Sequence, residues 1–272
     1  MLRKPLLAAS AAIVAFATNA NAVQLFSVDV VNDELVRIES TTGAVDRVGA
    51  LGNVTLARTS DRRLWALNAD VGNRVDFWEI NRNIGAVTSS VQVMLGGNPV
   101  LGGEGLAVRN DAFLIAYSSN GDFVSDQLVD LATDGTVTNS RAVAIDVDGM
   151  TTGTGGGHEL YAIDREFDTR LYGMVGDTGA TTLLGTYSAS LFFSQTVSFL
   201  DQIIAIDWQD SDLYTIDLSN GASLSAPLQL QDVSFPNQYR GLVLADEVPS
   251  PGGIWFLILG IGLIALRRLT RA

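Results

Sequence analysis

Apolar and polar residues alternate with a period of two over most of the chain, and the alternation falls into a phrase that returns five times. Each copy reads as an apolar strand ending on a polar residue, a polar turn, a second apolar strand, a glycine-bearing turn and a third strand. The copies occupy 25–45, 64–87, 113–137, 160–181 and 203–223, the third being the most divergent. The fourth is the clearest, with Leu160-Tyr161-Ala162-Ile163-Asp164, Arg170-Leu171-Tyr172-Gly173-Met174 and Thr178-Gly179-Ala180-Thr181. The fifth repeats it in Ile203-Ile204-Ala205-Ile206-Asp207, Asp212-Leu213-Tyr214-Thr215-Ile216-Asp217 and Asn220-Gly221. Helical periodicity is nearly absent from this part of the chain.

The copies start about 40 to 50 residues apart, the length of one propeller blade. A further apolar strand precedes most of them, at 54–57, 105–108 and 196–199, and a last one at 241–244 has no copy behind it. In a closed ring that last strand becomes the inner strand of the first blade, pairing beside Leu25 to Asp29 and removing the edges an open array would expose. The expectation is therefore an all-β chain, a β-propeller of five blades over residues 23–247. Six or seven blades follow instead if the Gly-rich region between Ala142 and Gly157 hides another. The Leu-Tyr-x-Ile-Asp and Thr-Gly phrases resemble those of bacterial quinoprotein-like or lactonase-like propellers, a resemblance that implies a fold and no particular chemistry.

Both ends have a different composition. Residues 1–22 read as a secretory signal peptide: Arg3 and Lys4, an apolar stretch from Leu6 to Ala17, and Ala20-Asn21-Ala22 as a small-x-small cleavage site, so that the mature chain starts at Val23. Residues 248–272 hold Val248-Pro249-Ser250-Pro251-Gly252, an apolar run from Ile254 to Leu266, and Arg267-Arg268. As a helix that run spans only about 20 Å of a hydrocarbon core about 30 Å thick. Including Gly252 and Gly253, with the Arg267 and Arg268 heads reaching the interface, extends it to about 27 Å, enough for one transmembrane pass. A buried core helix is the competing reading of so short a run. Pro249 and Pro251 block a helix continuing from upstream, and the basic cluster that follows belongs on the cytoplasmic side of a membrane, which places the rest of the chain outside.

The three-part tail resembles the PEP-CTERM protein-sorting signal of exopolysaccharide-producing Gram-negative bacteria, with Ser250 where that family usually carries Glu. The resemblance implies an exosortase-type membrane protease as a partner, acting near Pro249, Ser250 and Pro251, and membrane lipid as the surroundings of the helix. It implies export through the inner membrane, followed by tethering or release to the cell surface or extracellular matrix.

Charge narrows the partners of the middle segment. Twelve arginines face thirty acidic residues there, a formal charge of −18, so nucleic acid is excluded for want of a basic footprint. The chain has no cysteine, which removes thiol catalysis, zinc–thiolate sites and iron–sulfur clusters, and leaves stability to the core alone.

No catalytic, cofactor or metal residue stands out. His158 follows a glycine run and reads as a solvent-exposed loop residue before it reads as a general base, since spacing assigns it no Ser or Asp partner. Asp146-Val147-Asp148-Gly149 starts like a calcium loop, but Thr151 and Gly157 stand where an EF-hand needs Gly and Glu. Calcium held by carboxylates elsewhere stays open as an alternative to no cofactor. Asp29, Asp164, Asp207 and Asp217 are expected to bond backbone amides of the turns they open, the sharper alternative being a funnel they line. Trp65, Phe77, Trp78, Phe192, Phe193 and Trp208 are expected in the blade core, Trp208 being the most exposed. The expected protein is a non-enzymatic binding or structural module meeting polysaccharide, cations or surface proteins. The alternative is a hydrolase or lyase acting on extracellular polymer, with two carboxylates or a metal at one mouth of the ring.

Overall fold

The computed structural model describes residues 23–68, 74–118, 127–153, 157–165, 168–199, 201–231 and 238–247. Val23–Val248 forms one compact unit. The signal peptide, the apolar tail and the processing positions Ala22, Pro249, Ser250, Pro251, Arg267 and Arg268 lie outside the described residues. Among those described, no helix is long and apolar enough to cross a membrane.

The alternating phrases form four-stranded antiparallel blades. From the axis outward, blade I consists of Tyr239–Glu247, Val23–Asp29, Glu34–Glu39 and Val45–Ala50. Blade II runs Thr55–Arg58, Leu64–Asn68, Asp76–Ile80 and Val87–Gln92; blade III runs Gly103–Arg109, Ala112–Tyr117, Gln127–Leu131 and Val137–Ala142. Blade IV is Gly149–Thr152, Leu160–Asp164, Arg170–Met174 and Thr181–Thr186. Blade V is Phe193–Phe199, Gln202–Asp207, Asp212–Asp217 and Ser223–Leu224, with Leu228–Gln229 also on its third strand.

Each inner strand packs on the next until blade V meets blade I, which closes a ring of five. The last strand pairs with the first as expected, Phe26 opposite Val243 and Val23 opposite Glu247. The Gly-rich stretch between Ala142 and Gly157 supplies the inner strand of blade IV, and with all five inner strands in contact the ring has no place for a sixth blade. The turn glycines Gly43, Gly85, Gly135, Gly179 and Gly221 all have φ between 61° and 85°, the left-handed region that these tight connections require.

The core is divided by the blades into five apolar layers, one at each interface. Between blades II and III, for example, Trp65 and Phe77 stack at 4.8 Å, and Phe113 meets both edge-on at 5.2 and 4.8 Å. Between V and I, Leu25, Val36 and Ile38 pack on Ile204, Ile206 and Leu213. Burial on this scale, at about 25 cal/mol per Å² of apolar area, replaces the disulfides that the composition rules out.

Candidate functional site

The inner strands define a channel with two dissimilar mouths. Where these strands end, Leu56, Leu106, Met150, Val197 and Leu242, one from each blade, line an apolar cavity of about 360 Å³. Val23 and Glu247 pair at this end, so the chain enters and leaves the ring side by side there.

Two positions before each of these cavity residues stands a different set: Val54, Glu104, Asp148, Gln195 and Arg240. At three of these sites the sequence reads charged residue, glycine, aliphatic: Glu104-Gly105-Leu106, Asp148-Gly149-Met150 and Arg240-Gly241-Leu242. The glycines have a packing reason. A Cβ on Gly149 would lie 2.9 Å from Gln195 Oε1, and one on Gly241 would lie 2.9 Å from the Leu56 backbone nitrogen, so neighbouring inner strands approach here too closely for a side chain.

Glu104 is the extra residue of a β-bulge between Gly103 and Gly105, which takes it out of the ladder. Its half-buried carboxyl has no hydrogen bond or ion pair among the described residues. Burial above all, then the Asp148 and Asp146 charges, pushes its pKa up to about 7, against the opposing pull of Arg240 and Arg165. Arg240, from blade I, donates to Asn53 Oδ1 at 3.3 Å. No described carboxylate lies within 4 Å of its guanidinium. Asp148 is occupied: it accepts the Arg165 amide at 2.8 Å and pairs with the Arg165 guanidinium. Gln195, 1% exposed, donates to the Met150 carbonyl at 3.2 Å, leaving Oε1 buried and without a partner; Arg165 Nε is likewise buried and unpaired.

Three of the strand-end aspartates, Asp29, Asp207 and Asp217, behave as turn formers. Asp29 Oδ1 accepts the Val31 and Asn32 amides at 3.1 and 3.2 Å; Asp207 takes those of Phe192, Gln209 and Asp210; Asp217 takes that of Ser219. The expected exposure of His158 is corrected. It is half-buried, its ring edge-on to Tyr161 at 5.9 Å and so close to Gly173 that a Cβ there would meet it at 2.3 Å. Among the described residues no hydroxyl or carboxylate bonds that ring, and no group of three His, Cys, Asp or Glu side chains is placed to hold a metal ion, the Asp146–Asp148 stretch included. Trp65, Phe77 and Phe193 are buried as expected, while Trp78, Phe192 and Trp208 are half-buried. Sequence reading missed Glu104, Gln195 and Arg240; the charged-glycine-aliphatic phrase recurring at the start of three inner strands was the signal for Glu104 and Arg240, and Gln195, in Gln195-Thr196-Val197, carries none.

Fold and channel together define a closed five-bladed β-propeller. No protein-family model matches the chain, and no curated protein matches it. Among solved structures, a chain in the crystal structure of a nidogen/laminin complex superimposes with a TM-score of 0.55 at 10% identity, covering 83% of this chain and 99% of that one. Glutaminyl cyclase from Myxococcus xanthus (TM-score 0.45, 12% identity, 75% of this chain and 74% of that one) and apo AztD from Citrobacter koseri (0.41, 10%, 83% and 99%) are more distant. The likeness is one of fold.

Proposed function

We propose that the protein is exported through the inner membrane, tethered by its C-terminal segment and presented to an exosortase-type protease. The ring then serves as a non-enzymatic binding module at the cell surface or in the extracellular matrix. The pairing of Val23 with Glu247 carries this reading. A cut before Val23 and another near Pro251 would both fall outside the strands that seal the ring, so processing would leave every blade whole. Both ends of the ring lie at the apolar mouth, and a tether attached there leaves the polar mouth free for a ligand. The surplus of acid over base in the middle segment favours cations, neutral polysaccharide or basic surface proteins over anionic polymers. Alanine at both Pro249 and Pro251 is expected to abolish release into the medium, measured by intact mass of membrane and medium fractions; unchanged release would refute the sorting step.

A second reading, a hydrolase or lyase, draws support from Glu104, whose carboxyl titrates near neutrality beside a second carboxylate at the same level. Binding is preferred because Asp148 is already committed to Arg165 through both oxygens, which leaves Glu104 without a free carboxylate to divide acid and base roles with. Depolymerisation of an extracellular polysaccharide by the purified chain, lost in Glu104→Gln, would reverse that preference.

A further inference from the structure

The polar mouth holds an acid and a base, Glu104 and Arg240, that do not meet. Arg240 belongs to blade I and Glu104 to blade III, with blade II between them, and the Arg240 charge is felt at the Glu104 carboxyl. Arg240 makes one long bond, to an amide oxygen; Glu104 makes none among the described residues. Across the ring Gln195 leaves a buried acceptor unserved, and Arg165 a buried donor. Buried polar groups in folded proteins are nearly all satisfied, so an unserved acceptor on the same inner-strand level as Glu104 and Arg240 points to something that occupies the mouth. A metal ion would need three convergent ligands, which the described residues do not offer. A simple anion would serve Arg240 and leave Glu104 without a partner; a simple cation would do the reverse.

We propose that the polar mouth binds a small zwitterion of the α-amino-acid type, its carboxylate on the Arg240 guanidinium and its ammonium on the Glu104 carboxylate. Arg240 presents a planar fork that matches a carboxylate in two parallel bonds. Glu104, set on a bulge outside the ladder, gains in the ammonium the partner that the fold does not give it. The assignment rests on reading the ring as a binding module and specifies what that module takes.

The test is calorimetry on the full-length chain in detergent micelles, titrated with each of the twenty free α-amino acids. Any that binds is then compared with analogues of the same side chain lacking the ammonium or the carboxylate. At least one amino acid is expected to bind, both single-headed analogues roughly tenfold or more weakly, and Arg240→Gln and Glu104→Gln are each expected to weaken binding by roughly tenfold or more. Should Arg240→Gln fail to fold, Arg240→Lys, which keeps the charge but loses the fork, is expected to weaken binding in its place. Absence of binding by all twenty, equal binding of a single-headed analogue, or variants that bind like the parent overturns the assignment. Release of the chain into the medium is measured separately, so a negative titration with release intact refutes this ligand and leaves the sorting reading standing.

Discussion

The Ser27 hydroxyl donates to the Arg240 carbonyl at 3.2 Å, although 213 positions separate the two residues in the chain. The bond lies in the seam where the last strand completes the first blade, so closure of the ring and placement of Arg240 depend on the same contact surface. Gly241, beside it, has φ 68° and would carry a Cβ 2.9 Å from Leu56 Cγ and backbone N. Gly241→Ala is therefore expected to cost about 2–4 kcal/mol, through left-handed strain and overpacking together. Urea unfolding of variant and parent measures the difference.

A similar measurement tests the layer between blades II and III. Phe113 is 1% exposed and touches both Trp65 and Phe77, so Phe113→Ala should destabilise the ring by about 3–5 kcal/mol. Trp78→Ala, on a half-buried residue of blade II that packs toward blade I, should cost clearly less.

Asp207 is fully buried and serves three backbone amides, which makes it structural. Alanine there would orphan all three, a loss on the order of 3 kcal/mol, while Asp207→Asn keeps one acceptor oxygen and should lose less. Equal losses in the two variants, read from thermal or urea midpoints, would contradict this account of the turn.

Glu104 gives stability a pH dependence of definite sign. The folded ring keeps its proton up to about pH 7, whereas the unfolded chain releases it near the ordinary 4.5. Its contribution is complete below the unfolded value and is lost as pH rises through the folded one. Glu104→Gln lacks this loss. Its stability relative to the parent should therefore rise by about 1–3 kcal/mol between pH 5 and pH 8, as paired urea titrations at the two pH values would show.

Much of the fold was legible because one blade is a local unit: strand, turn and strand lie within 40 to 50 residues of each other, and glycine marks the turns that need positive φ. The closing strand was legible too, as a strand left over after five complete phrases. The inner strand of blade IV escaped, because Gly149-Met150-Thr151-Thr152 is short and holds one apolar side chain, Met150, where 105–108 and 241–244 hold three each. The polar mouth escaped for a different reason. Glu104, Gln195 and Arg240 each sit in a separate phrase, and only closure of the ring brings them to one level. His158 read as exposed because it follows glycines; what it packs on, Tyr161 and the bare backbone of Gly173, comes from its own blade.

The central claim is that this ring is cargo, delivered by one end of the chain and sorted by the other. Intact mass spectrometry of the native protein, from membrane and medium fractions of its own host, tests this most directly. The account predicts a species outside the cell that begins at Val23 and ends near Pro251, every blade included. Finding only a species that still carries Arg267 and Arg268, confined to the membrane, would contradict the sorting and leave a tethered domain in its place.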